Sequence, residues 1–210
     1  MAIAFRSQTG ITGTGTSLAI TKPSGAVNGD VHLLLFLIDS ASVSPTLPGW
    51  QTIRSESDAT KGYQAFLAWR REDGSAFSGL TWTGTLYAGA VVLDYSGCRL
   101  RGIPVGAHSG QVNAASASID APSVTPGRDV SRLVYVASDD YGGNVTRPAG
   151  FTDRDVNGYD MQASDKALST GAATGTVTGT HTSNRSIGQL LVLIPEEDPG
   201  PRRSLLGAGW

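Results

Sequence analysis

The stretch PTLPGW, residues 45–50, has a counterpart in VTRPAGF, residues 145–151. In each, proline and glycine precede a large aromatic, and each stretch follows an apolar run. If the pair marks a repeat, the chain carries one unit twice, and the fold must be built from two like halves. Working outward, SLAITKPSGAVNGDVHLLLFLID (17–39) aligns with SASIDAPSVTPGRDVSRLVYVAS (116–138). Ile20 meets Ile119, Pro23 meets Pro122, Asp30 meets Asp129, Leu34 meets Leu133 and Phe36 meets Tyr135. After a small slip, Gly49-Trp50 meets Gly150-Phe151. GYQAFLAWR (62–70) then meets GYDMQASDK (158–166), LTWTGT (80–85) meets GTVTGT (175–180), and VVLDY (91–95) meets LVLIP (191–195). The landmarks keep their order, so we read a duplication of about 80 residues spanning 17–95 and 116–194.

The repeated unit is written in strands. Each half shows six candidate strands, near 17–22, 31–39, 50–56, 62–70, 78–83 and 89–95, and near 116–120, 131–138, 151–155, 159–167, 174–179 and 187–194. Turn residues such as NGD, LPGW, EDGS and YGGN separate them, and no helical period runs beyond two turns. VHLLLFLI (31–38), GAVVL (89–93) and QLLVLI (189–194) are apolar at both strand parities. A strand apolar on both faces is covered on both faces, so the halves are expected to pack on each other. The expected architecture is an all-β, jelly-roll-like sandwich over residues 1–195, followed by an extended tail over 196–210; two tandem sandwiches are the alternative. Trp50 and Phe151 are expected in the core, each delivered by its turn.

Composition narrows the function classes. Of the 210 residues, 16% are charged and the formal net charge is −2, with no basic stripe, so no nucleic-acid footprint is expected. The single cysteine, Cys98, excludes an internal disulfide framework and a cysteine zinc cluster; it reads as a loop residue, not a nucleophile. The first residues, MAIAFRSQTG, lack the basic and apolar regions of a signal peptide, and no apolar run has transmembrane length, so neither export nor a membrane is expected. GITGTGTS (10–17) is glycine-rich but lacks the lysine of a phosphate loop and reads as a flexible arm or loop.

Few residues offer chemistry. His32, His108 and His181 lie outside metal-ligand spacing of one another, and His32 reads as a core or edge residue. Glu56, Asp58, Asp139 and Asp140 fall in polar, turn-like stretches and read as solvated rather than as a paired-acid site. DRDVNGY (153–159) opens like a calcium loop, with Asp153, Asp155 and Asn157 as ligands, but Ser164 stands where the closing glutamate is needed. The Asn-Gly pair favours a plain hairpin turn there. No catalytic residue, metal or cofactor is expected. The tail PEEDPGPRRSLLGAGW (195–210) ends in an apolar tip. Leu205, Leu206 and Trp210 are costly to leave in water and are expected to dock, either on their own domain or on a neighbouring subunit.

The text IAFRSQTG, GTGTSLAITKPSGAVNGDVHLLLFLID, PGW, VLDYSGC with IPV, and PAGF with SDKALSTGAATGTVTG resembles a repeating β-module of tailed-phage structural proteins and their prophage relatives. The resemblance covers about residues 3–195, and its motifs are strand and turn signatures that name no active site. The heavy HLLLFLI departs from the lighter strand usual after GD, and the tail lies outside the resemblance. What it implies is a non-enzymatic virion component, a minor tail protein acting in assembly or host attachment, assembled in the host cytoplasm. Its partners would be other virion proteins in a homo-oligomeric or symmetric assembly. Capsid decoration is one alternative. A carbohydrate-binding module contacting a host-surface glycan through Trp69, Trp82 and Tyr87 is another.

Overall fold

The structure is a computed structural model that describes residues 2–139, 145–154 and 161–197. The chain forms β1 (Ala4–Leu18), β2 (Val31–Ile38), β3 (Gln51–Asp58), β4 (Tyr63–Arg71) and β5 (Leu80–Ser96), then β6 (Val105–Ala121), β7 (Arg132–Asp139), β8 (Thr152–Asp153), β9 (Met161–Ala167) and β10 (Val177–Leu193). One antiparallel sheet has the order β1-β5-β2-β4-β3, and the other has β6-β10-β7-β9-β8. The two orders are the same once each strand of the first half is replaced by its counterpart in the second. Each half therefore makes one sheet, and the two sheets pack into a β-sandwich.

The repeat is visible atom by atom in its landmark turns. The Trp50 amide donates to the Leu47 carbonyl at 3.1 Å, and the Phe151 amide donates to the Pro148 carbonyl at 3.2 Å. Gly49 and Gly150 take φ of 78° and 79°, the left-handed value that the third position of this turn demands. Isolated bridges join Thr46 to Thr81 and Thr146 to Thr180, again at matching places.

Three apolar layers explain why the central strands are apolar at both parities. Leu33, Leu35 and Leu37 of β2 join Leu67, Leu93, Val134, Val136, Ile187 and Leu191 in the core between the sheets. Leu34, Phe36 and Ile38 face outward, covered by Ile20, Trp50, Phe77 and Trp82 of the same half. Leu133, Tyr135 and Ala137 face outward from the second sheet, under Val124, Val145 and Phe151. Each half thus covers its own outer face with its own loops, and its inner face needs the other half.

Contacts across the core set how the sheets are stacked. Arg54 of β3 reaches the Gly110 carbonyl of β6 at 3.3 Å. Arg185 of β10 reaches Asp58 at the end of β3, Tyr63 of β4 reaches the Ser138 carbonyl of β7, and Tyr95 of β5 reaches Asp165 of β9. β2 and β7 thus lie at the middle of their sheets and run the same way, as a pseudo-two-fold axis between them would require.

The strands differ in detail from the sequence reading. Among the described residues each half has five strands, not six, because 78–83 and 89–95 fall in one strand, β5, as 174–179 and 187–194 fall in one strand, β10. GITGTGTS is not a flexible arm: it lies within β1, paired from Gly10↔Val91 to Ser17↔Thr81. Its glycines and threonines suit a long strand that bends past a register shift between Gly15 and Ser17. Likewise, the segment 96–116 contains the first half of β6. The register also moves the β4–β9 alignment by two residues. Leu35 faces Leu67 while Val134 faces Asp165, so Leu67 and Asp165 are equivalents.

Replacing Gly49 or Gly150 by alanine should lower stability by about 1–2 kcal/mol each, the cost of a side chain in the left-handed region. Urea unfolding checks this, with a lower midpoint and an unchanged slope as the expected result. Equal costs at the two sites would mark them as one structural device used twice.

Candidate functional site at one end of the sandwich

The charged groups fall into two kinds of place. Some tie the sheets together, and others surround one end. Asp165 is fully buried in the core, where its twin is Leu67. Arg132 donates to its Oδ1 at 2.6 Å, Arg154 to its Oδ2 at 3.0 Å, and the Tyr95 hydroxyl to its Oδ2 at 2.8 Å. Arg132 also donates to the Ile3 carbonyl, and Arg154 stacks over the Phe5 ring at 4.5 Å. Burial works to raise the Asp165 pKa, but the hydrogen bonds from Arg132, Arg154 and Tyr95 outweigh it and hold the carboxyl below the ordinary aspartate value. Burial and the Asp165 charge push the Tyr95 phenol well up, so it stays a donor.

The end that begins β2 and β7 gathers the loops 27–30, 72–78, 97–104 and 127–131 with residues 194–197. Arg71 donates to the carbonyls of Gly29 and Arg99, at 3.0 and 2.5 Å. Arg99 and Arg128 both hold Glu197, at 3.0 and 2.5 Å. Hydrogen bonding and charge from Arg128, then from Arg99, lower the Glu197 pKa. The Leu100 amide donates to Glu196. This end also carries the large apolar side chains that face water among the described residues: Val27, Leu100, Ile103 and Val130, each more than half exposed.

A groove of about 600 Å³ opens on the same end, lined by residues that include Gln51, Trp69, Arg70, Asp73, Ser75 and Ser78. Arg70 is wedged there. Its guanidinium lies 4.7 Å from the Phe77 ring centre and 5.9 Å from that of Trp50, and it donates to Ser75 Oγ at 2.6 Å. The groove pairs a partly apolar floor with planar polar groups, a surface able to hydrogen-bond a hydroxylated ligand.

The sequence candidates disperse. Trp69 lines the groove from the core between the sheets, at 8% exposure. Trp82 belongs to the outer layer and donates its indole N–H to the Gly15 carbonyl at 2.9 Å. Tyr87 is half-buried and pairs with Thr14 toward the opposite end of β5. The three do not form one platform. Asp153 receives hydrogen bonds from Arg147 and Gln162; Asp155 and Asn157 lie outside the described residues, as do Leu205, Leu206 and Trp210. Among the described residues, no group of three or more His, Cys, Asp and Glu is placed to hold a metal ion.

Of the acids read as solvated, Asp58 and Asp139 are buried and Glu56 is half-buried. Asp58 is buried and accepts from Arg185 at 2.8 Å and from the Thr60 and Lys61 amides. Glu56 accepts from Arg54 and Gln189, and Asp139 lies 3.0 Å from His181 Nδ1. Asp140 lies outside the described residues. His32 is fully buried, with Glu72 at 2.8 Å from one ring nitrogen and Asp94 at 3.3 Å from the other. Cys98 is buried in the core, and burial pushes its thiol up to about 12, which makes it a poor nucleophile at neutral pH. Sequence reasoning missed the Asp165 cluster because DMQASDK looks like a polar hairpin arm. The signal was its alignment with the apolar AFLAWR (65–70) of the first half.

Asp165→Asn should leave Arg132 and Arg154 underpaired and cost about 3–5 kcal/mol at pH 7. Restoring the twin residues, Arg132→Leu with Asp165→Leu, should cost less than that. Because the folded pKa of Asp165 is depressed, its stabilisation is present above about pH 4 and is lost as pH falls through the folded value. Unfolding midpoints measured from pH 6 down to pH 2 should therefore fall more steeply for the parent than for Asp165→Asn.

Comparison with protein-family models, with curated proteins and with solved structures gave no match to this chain.

Proposed function

We propose that the chain is a non-enzymatic structural subunit of a tailed-phage virion, a minor tail protein acting in assembly or host attachment. The observation that carries the reading is the resemblance over residues 3–195, whose strand and turn signatures include the PGW and PAGF turns. The architecture supports it. Polar side chains that could have been a reaction centre instead join sheet to sheet, as Arg185 joins Asp58 and Tyr95 joins Asp165. A body closed in this way suits a part that must hold its shape in a particle. Capsid decoration is the same reading at another place in the particle, and copy number separates the two.

A second reading, a module that binds a host-surface glycan, draws on the groove beside Arg70, which offers Gln51, Asp73 and Ser75 around a tryptophan edge. It differs from the sequence expectation in using one tryptophan rather than a three-aromatic platform.

Mass spectrometry of purified particles should find the protein at a fixed, low copy number per virion, as a tail component requires. Hundreds of copies would move it to the head, and its absence from particles would overturn the virion reading. On a glycan array, any saccharide retained should bind about tenfold more weakly to Gln51→Ala with Asp73→Ala, a loss of about 1.4 kcal/mol. A blank array would remove the second reading.

A further inference from the structure

Val27, Leu100, Ile103 and Val130 come from three separate loops, yet they share one end of the sandwich. The Leu100 side chain lies against Gly29, two residues beyond Val27: a Cβ added at Gly29 would stand 3.1 Å from Leu100 Cδ2. The Leu100 amide donates to Glu196, and Glu196 lines a depression with Val130, Asp129 and Pro195. Ile103 precedes Pro104, whose carbonyl accepts from the Ile194 amide at 2.8 Å. Leu100 and Val130 thus lie beside Glu196, next to the point where the described chain ends at Glu197, and Val27 and Ile103 sit in the loops that carry or adjoin Leu100.

Val130 adds an independent sign. It is the one described non-glycine residue at positive φ, 56°, an uncommon and costly place for a β-branched side chain. Its sequence counterpart Val31 is fully buried at the start of β2, whereas Val130 is 61% exposed. The second copy of the unit turns this valine out of the core and holds it in strain at the end surface.

The chain beyond Glu197 supplies a matching occupant. Leu205 follows Glu197 by eight residues, a reach of about 26–29 Å when extended. Pro199 and Pro201 stiffen the approach, and Leu205, Leu206 and Trp210 are the large apolar residues it carries. We infer that the surface formed by Val27, Leu100, Ile103 and Val130 is the docking site for residues 204–210 of the same chain. Burial of the two leucines and the tryptophan against these four side chains removes both apolar surfaces from water. The short tether raises the effective concentration of the tip at its own end over that of a tip from another copy. This inference is independent of the virion reading.

Hydrogen exchange on the full-length chain tests it. Leu205→Ser with Leu206→Ser and Trp210→Ser should speed amide exchange in 97–104 and 127–131 about tenfold, with exchange in β2 and β7 unchanged. The difference should persist when the protein is diluted a hundredfold. Unchanged exchange would overturn the proposal, and a difference that vanishes on dilution would assign the surface to a second copy instead. A second measurement uses the buried, poorly reactive Cys98 as a quiet background. Ile103→Cys with Leu206→Cys should oxidise to a cross-linked monomer. A disulfide-linked dimer, or no cross-link, would count against docking within one chain.

Discussion

Everything in this fold depends on the inner face that each sheet must hide. Leu33, Leu35 and Leu37 on one side, with Val134 and Val136 on the other, close a core that neither half can make alone. A buried leucine contributes about 1.5–3 kcal/mol over an exposed one, so a half left by itself would expose far more apolar surface than a stable domain tolerates. The outer faces carry no such demand, because each half folds Trp50 or Phe151 back over its own sheet. Duplication therefore gives a self-covering layer twice and a sticky face twice, and the sandwich is the way the two sticky faces meet.

Within that near-symmetric plan, the halves diverge where charge enters. Leu33 and Leu67 of the first sheet stand where the second has Arg132 and Asp165. A buried ion cluster adds little net stability over a well-packed apolar pair. What it does here is make the faces unlike: the Asp165 carboxylate finds its donors in Arg132, Arg154 and Tyr95, and Tyr95 belongs to the other half. Pairing first half with first half would supply no Asp165, and pairing second with second would bury this carboxylate without Tyr95. The cluster thus favours the pairing of unlike halves within one chain over self-pairing between chains. The thirteen arginines and three lysines of the sequence find a use in this setting, since guanidinium groups suit buried multidentate contacts with carboxylates and carbonyls.

The fold was legible because its signals are local. The PGW and PAGF turns, the doubly apolar strands and the order of landmarks depend on a few neighbouring residues each. The strand ends were not legible where glycine and threonine dominate, since GITGTGTS reads as loop by propensity and becomes strand only because β5 is there to pair with it. The acids were misread for a related reason. Asp58, Glu56 and Asp139 look like turn residues in sequence, and their partners Arg185, Gln189 and His181 come from the other half or from distant strands. The end surface was invisible in sequence altogether. Val27, Leu100, Ile103 and Val130 lie up to about a hundred residues apart, and only the sandwich places them together.

The most direct test separates the halves. Residues 1–103 and 104–210 should each be unfolded or aggregated when produced alone. Mixed in equal amounts, they should recover one cooperative unfolding transition, followed by circular dichroism. If either fragment alone shows a cooperative transition as a monomer, the halves are independent domains and the shared core is not what holds the fold.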